Sequence, residues 1–487
     1  MTAGAWEMVV GLEVHVQLRT RTKTFCDCAV AFAAPPNSNT CPVCLALPGA
    51  LPVLNGRAVE LAVRAALALG CTVHEDSRFA RKHYFYPDLP KGYQISQYDR
   101  PLATGGEVGI GGDDALAGKR IGVTRLHMEE DAGKSVHDRF PMATAIDLNR
   151  AGVPLIEIVS EPDLRSAREA GAYLRALRRL LDYLDVSDLN MEEGSLRVDA
   201  NISIREAGSE SFGTRTEVKN LNSFSGVERA LDAEYARQVA VVSSGGSIEQ
   251  QTMLWDESRG EIRPARAKEG SHDYRYFPDP DLPPLRLDPA WITAMRDALP
   301  ELPDARRLRF ERDLALDPVD ADALVADPMI ADYFESLARN HGDAKTAANW
   351  VMGEVRAALK SSDGGIATFP VPPEALAGVL DLVRDGTVST TAAKRVFAVM
   401  REERMSGSST GAREIAEREG LTQVGDADQL EQWVDDAIAA DPDTWARLVA
   451  GERKLLGVFV GSVMQRSGSR ADPRKVSQLL SARAAAP

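Results

Sequence analysis

The stretch Gly11-Leu12-Glu13-Val14-His15-Val16-Gln17-Leu18 alternates apolar and polar residues without a break. As a β-strand it sends Leu12, Val14, Val16 and Leu18 to one face and Glu13, His15 and Gln17 to the other. A carboxylate and an imidazole two positions apart on a strand point the same way, a pairing suited to metal ligation or proton transfer. The pattern returns as Arg125, His127 and Glu129 within residues 125–131, and as Arg215, Glu217 and Lys219 within residues 215–219. In residues 196–204 it places Arg197, Asp199, Asn201 and Ser203 on one side. One such residue by itself reads as a solvated or salt-bridged strand position. Several acids on neighbouring strands repel unless a cation or basic side chain compensates. Glu13, His15, Glu129, Glu130, Asp199 and Glu217 are therefore the candidate site, with a divalent cation among them.

Strands are expected at 8–18, 119–128, 153–159, 196–205 and 214–219. Asn55 caps a helix running through Leu69, and Ser166 with Glu169 opens a second to about Leu184. Ser225 with Glu228 has the same spacing and predicts a third helix, to about Val242. The reading is an α+β fold, with a largely antiparallel sheet and helices over residues 1–290. Pro278, Pro280, Pro283 and Pro284 break that pattern, and helical periodicity dominates residues 291–404. The Ser/Gly-rich run 405–411 reads as a linker to a small helical tail domain at 411–487.

Four of five cysteines stand as Cys26-x-Cys28 and Cys41-x-x-Cys44, with twelve residues between the pairs. Two close thiol pairs suit tetrahedral Zn²⁺, and four ligands leave no open position, so the zinc is expected to be structural. Cys71, at the end of an apolar helix, is expected to be buried.

The first residues lack the basic start and apolar run of a signal peptide, and no stretch is apolar enough to span a bilayer, which points to the cytoplasm and no membrane partner. A net charge of −15 over 487 residues argues against non-specific coating of nucleic acid. From Gly451 onward, however, seven Lys/Arg face two Asp/Glu, a local balance of +5 that permits contact with an anion. Gly133-Lys134-Ser135 imitates the end of a P-loop, but Met128 stands where its first glycine belongs. Any nucleotide must then be held by the sheet carboxylates through Mg²⁺. Tyr84-Phe85-Tyr86-Pro87, beside Arg81, Lys82 and Lys91, could stack on a base, or could be a proline-pinned loop packed on the core. Lys219-Asn220 ends a strand where amine and amide donors could meet phosphate oxygens, although an ordinary strand-to-helix turn explains it nearly as well.

Together these segments resemble the GatB family, the B subunits of aspartyl/glutamyl-tRNA amidotransferases. The likeness runs through Val10–His15, the cysteine knuckle, Leu47-Pro48-Gly49, Arg81–Asp99, Leu126–Lys134 and Asp147–Arg150. It continues through Glu157–Asp163, Asn190–Ser195, Lys219–Phe224 and Asp273–Pro278. It implies a catalytic cradle, a helical domain and a tail domain that touches tRNA. It further implies a heterotrimer with an amidase, which frees ammonia from glutamine or asparagine, and with a small third protein. On the cradle, ATP would phosphorylate the side-chain carboxylate of misacylated Glu-tRNA(Gln) or Asp-tRNA(Asn). Ammonia arriving through a tunnel would displace the phosphate, leaving Gln-tRNA(Gln) or Asn-tRNA(Asn). Under this resemblance Mg²⁺ is held by Glu13, His15, Glu129 and Glu217, with Glu130, Asp199 and Lys219 in the same catalytic set. Lys82, Tyr84, Arg125 and Asn220 would face the nucleotide. Gln250-Gln251-Thr252 departs from the family's usual Gln-Glu-Thr, which puts a helper carboxylate there in doubt. Two other readings stay open on residues alone: an RNA-binding module whose sheet is structural, and a metal-dependent hydrolase, disfavoured by the lack of HExxH and of a nucleophile elbow.

Overall fold

In the computed structural model, the alternation at residues 11–18 is strand β1 (Trp6–Gln17). Residues 6–485 are described, apart from 112–115, 117, 141, 266–273, 362–363, 424–426 and 469. Met8, Val10, Leu12, Val14 and Val16 are buried on one face of β1, while Glu13, His15 and Gln17 stay half-exposed on the other. Each such apolar side chain contributes about 1.5–3 kcal/mol when fully buried. A slip of one residue would turn that whole set into water, so the burial pins the register.

β1 runs through the middle of a 13-stranded sheet. The strands that matter are β2 (Ala80–His83), β3 (Tyr93–Ser96), β4 (Arg120–Glu130), β5 (Pro154–Ser160), β6 (Leu196–Glu206), β7 (Thr216–Leu221), β8 (Thr252–Asp256), β9 (Glu261–Pro264) and β10 (Phe277–Pro278). Their order is β9-β8-β7-β6-β1-β5-β4-β3-β2-β10, with three short strands beside this path. Every pairing along the path is antiparallel except β7 with β8, which is parallel. The expected fold class and strands are therefore present, each within two residues of its expected bounds.

Helices α1 (Gly56–Ala68), α2 (Ala167–Tyr183) and α3 (Phe224–Ser243) share one core with the apolar face of the sheet, through residues such as Leu61, Leu177 and Leu231. Asn55 caps α1 by accepting from the amides of Arg57 and Ala58, and the Ser166 hydroxyl accepts from the amide of Glu169. The third cap is a correction. Ser223, not Ser225, caps α3, accepting from the Gly226 amide at 2.9 Å, and Ser225 falls inside the first turn.

Residues 1–306 form one compact unit and residues 307–487 a second, helical one. The helical unit has two cores, one around Phe310, Phe334, Val351, Leu380 and Ile415, the other around Leu430, Val434, Phe459 and Leu480. The Ser/Gly run 405–411 joins helices Thr390–Met405 and Ala412–Arg418, which both pack in the first of these cores. Residues 344–359 are helical throughout, but Val351–Val355 form a π-turn, the signature of one extra residue in a helix. No helix among the described residues is long and apolar enough to cross a membrane.

Candidate active site

The polar face of the sheet is built row by row from strand register. Glu13 on β1 stands opposite Asp199 on β6, and His15 stands opposite Arg197 on β6 and Glu157 on β5. Glu157 in turn faces His127 on β4, and Leu155 faces Glu129. Asn201 on β6 faces Glu217 on β7. Residues far apart in the chain thus become lateral neighbours about 5 Å apart.

Two clusters result. In the first, the His15 Nε2 lies 3.4 Å from Glu157 Oε2 and 3.6 Å from Glu129 Oε1. His127 Nε2 adds contacts of 3.3 Å to Glu157 and 4.0 Å to Glu129. In the second, Asp199 and Glu217 share the Lys219 ammonium at 2.8 and 2.9 Å, and Asn201 donates to Glu13 at 3.0 Å. Thr252 donates to the free side of Glu217 at 2.9 Å. The ligand atoms of His15, Glu129 and Glu157 lie within 4.8 Å of one another, as do those of Glu13, Asp199 and Glu217. Three carboxylate oxygens at that spacing fit a hard divalent cation; the imidazole-containing set offers a second, mixed position.

Electrostatics tie the clusters together. Burial, reinforced by the charge of Glu157, raises the Glu13 carboxyl above its ordinary value. Burial works against the His15 imidazolium, yet the hydrogen bond and charge of Glu157, then the charge of Glu129, lift it to about 9. Burial would also raise Glu157, but His127 and His15 hold it well below the usual carboxylate range. Around Lys219 burial is outweighed by Asp199 and Glu217, so its ammonium is held more firmly than usual. The like-charge strain expected from the sequence is thus relieved internally by Lys219 and two imidazoles.

A cavity of 330 Å³ opens on these groups. His15, Glu129, Asp199, Lys219 and Asn220 line it, together with Lys82, Tyr84, Arg150 and Arg197. The Lys82 ammonium sits 5.0 Å over the Tyr274 ring, and the Tyr84 hydroxyl donates to Gln94 at 3.2 Å. Asn220 adopts φ +66°, tolerated by asparagine, and its amide donates to the Trp255 carbonyl at 2.8 Å. Arg125 stands in the same row as Glu13, across Val159, and its Nε is buried without a hydrogen-bond partner. Such an orphaned donor suits an anionic oxygen. Glu13 lines a second cavity, of 270 Å³, with Ser160, Asn201, Ser203, Phe212 and Arg215.

Glu130 stands apart from this assembly. It points to the opposite face from Glu129, where Lys91 pairs with its carboxylate and the Ile95 amide donates to it at 3.0 Å. Glu157 is the residue that sequence reading left out of the site. Its signal was a single charge inside the apolar run Pro154-Leu155-Ile156-Glu157-Ile158-Val159 of an expected strand. Asp131 is a second addition. It gathers Arg197 at 2.9 Å, Gln17 at 2.8 Å and Arg150 at 3.7 Å, and so fixes the cations at the cavity edge. Gly133 is a packing glycine: a Cβ there would meet the Asp88 and Asp147 carbonyls at 2.9 Å.

The sulfurs of Cys26, Cys28, Cys41 and Cys44 lie within 4.8 Å of one another, and Cys41 and Cys44 Sγ are 3.9 Å apart. A tetrahedral zinc with bonds of about 2.3 Å needs sulfurs about 3.8 Å apart, so the donor set fits. Lys23, fully buried, fastens the knuckle by donating to the carbonyls of Asn39 at 2.8 Å and Leu148 at 3.3 Å. Cys71 is buried away from this group.

Comparison with known proteins agrees with this architecture. Residues 8–293 match the family model described as the GatB/GatE catalytic domain, and residues 332–483 match the GatB domain. The chain is 51% identical over 476 residues to the B subunit of aspartyl/glutamyl-tRNA(Asn/Gln) amidotransferase from Chlorobium phaeobacteroides (strain BS1), covering 98% of each protein. It is 50% identical over 482 residues to the protein of that name from Moorella thermoacetica, covering 98% of this chain and 99% of the relative. The protein of that name from Syntrophotalea carbinolica is 50% identical over 475 residues, 98% of each. With both of its folded units matched and half of its residues shared with these proteins, the chain belongs to the GatB family.

Proposed function

We propose that this chain is the B subunit of a tRNA-dependent amidotransferase, a ligase of protein biosynthesis, and that its polar sheet face carries the reaction. The observation that supports this most is the gathering of two three-ligand clusters on one polar face of the sheet, assembled from five strands, with His15, Glu129 and Asp199 of them lining the cavity. The substrates are Glu-tRNA(Gln) and Asp-tRNA(Asn), the products Gln-tRNA(Gln) and Asn-tRNA(Asn).

A carboxylate is a poor acyl donor because its oxygen leaves badly. ATP supplies the phosphoryl group that turns that oxygen into a leaving group, and Mg²⁺ supplies positive charge where the transferred phosphoryl is most negative. Glu13, Asp199 and Glu217 are the oxygen ligands for one ion, and His15, Glu129 and Glu157 form the second position. Lys219, which bridges Asp199 and Glu217, would with Lys82 and Arg125 offer positive charge to phosphate oxygens. Tyr84 and Asn220 bound the same space and orient the nucleotide.

Residues 1–290 form the catalytic cradle, stiffened by structural Zn²⁺ at the knuckle. Residues 291–404 form a helical domain, and 411–487 a tail, basic from Gly451 onward, that touches tRNA. The chain works in the cytoplasm as one part of a heterotrimer, with an amidase that supplies ammonia and a small third protein. The decisive experiment is Glu13→Gln in the assembled complex. ATP-dependent amidation should fall by about 10²–10³-fold, with tRNA binding and glutamine hydrolysis retained. Unchanged amidation would overturn the proposal.

A further inference from the structure

We infer that Tyr84, Tyr274, Tyr276 and Tyr98 form a stacking path for the single-stranded 3′ end of the aminoacylated RNA, an inference that rests on the function proposed above. The four rings are contiguous. Tyr84 lines the cavity beside Glu129 and His15. Its ring meets Tyr274 edge-on at 6.1 Å, and Tyr274 meets Tyr276 edge-on at 6.2 Å. Tyr276 lies flat on Tyr98, centroids 4.1 Å apart and planes within 9°. Tyr98 is 58% exposed, so the path runs from an open ring at the surface to the reacting groups.

The path is held by backbone. His83 donates its amide to the Tyr274 carbonyl at 2.8 Å, and Phe277–Pro278 pairs with Ala80 and Arg81 at the sheet edge, which fixes Tyr276. The rings therefore stand ready before a ligand arrives, and little ordering is lost on binding. Lys82, 5.0 Å over Tyr274, places a positive charge beside the rings where a phosphate backbone would pass.

The chemistry selects the occupant. Aromatic faces accept any base; Tyr98 and Tyr276 already cover one face of each other, so a base of an unpaired strand would stack on the open side of Tyr98 and the strand would continue along the inner rings to the cavity. The acyl group to be amidated sits at the very end of such a strand. The path ends where that group must lie, at the cavity that holds Glu129, His15 and Lys82.

The test uses the chain in complex with its amidase partner and misacylated tRNA. Tyr98→Ala should raise the KM for misacylated tRNA by about 5- to 150-fold, the range of losing one base stack. Tyr98→Phe should keep the wild-type KM, since the ring face and not the hydroxyl is used. KM for ATP and glutamine hydrolysis should not change in either variant. A photoreactive base among the last nucleotides of the tRNA should crosslink to Tyr98 or Tyr276. An unchanged tRNA KM in Tyr98→Ala, with wild-type amidation normal, overturns the stacking path alone. Loss of complex assembly in Tyr98→Ala also overturns it and makes the surface a protein interface. Absence of amidation in the wild-type complex sinks the proposed function, and the stacking path with it.

Discussion

The cysteine knuckle and the carboxylate floor both gather metal-ligand atoms within 4.8 Å of one another, but they do so by opposite means. The knuckle draws its four ligands from Cys26 to Cys44, one short loop. The floor draws on β1, β4, β5, β6 and β7, from Glu13 to Glu217. At the knuckle the buried Lys23 gives its ammonium to the Asn39 and Leu148 carbonyls rather than to the thiols, whereas the floor carries Lys219 and His15 directly among its acids. The first should depend on its metal for structure. The second should fold without one and use it for chemistry.

Three experiments press on that contrast. The largest effect should come from zinc, since structural sites of this kind bind with apparent free energies of about 10–16 kcal/mol. Cys41→Ser should abolish zinc retention measured by elemental analysis and lower the thermal midpoint, whereas Glu13→Gln should leave both nearly unchanged. A knuckle variant as stable as wild type would erase the distinction.

Adjacent glutamates on β4 give the next test. Glu130→Gln breaks a buried pair with Lys91 and should cost about 3–5 kcal/mol of unfolding free energy. Glu129→Gln should instead lower amidation by about 10²–10³-fold with a much smaller change in stability. Chemical denaturation and single-turnover amidation, run on both variants, would expose a reversal of roles.

The smallest effect concerns protons. With its pKa lifted to about 9 by Glu157 and Glu129, His15 is imidazolium at neutral pH, and a cation ligated by its nitrogen must displace that proton. Magnesium binding should therefore release up to one proton at pH 7.5, and its affinity should rise with pH until about pH 9. Calorimetry in buffers of different ionisation enthalpy measures the release. No proton exchange would leave His15 as a bystander and the all-oxygen cluster as the ion's place.

The same contrast explains what could be read beforehand. The knuckle was legible because cysteine spacing encodes it directly. Strand alternation revealed which of Glu13, His15, Asp199 and Glu217 share a face within their own strands, because the period of two is local. It did not reveal that His15 stands opposite Glu157, since register is decided by the burial of whole strands. Glu157 went unassigned for that reason, although its isolation in an apolar run marked it. Two consecutive acids at 129 and 130 also looked equivalent as a pair, yet the pleat sends them to opposite faces. At α3 the Ser225/Glu228 spacing resembled a cap, but the chain enters the helix two residues earlier and Ser223 makes the cap.

The π-turn at Val351–Val355 carries a consequence for how this region tolerates change in length. Each residue of a helix advances the chain by about 100° around its axis. One surplus residue in a regular helix would turn one flank by that angle against the other, but the widened π-turn absorbs it and the flanks keep their facing. Trp350 and Val351 thus stay in the core while Arg356 holds the Ala323 carbonyl at 2.6 Å. The turn is spare length, so a single deletion within it should harm the segment less than a deletion in the regular helix on either side.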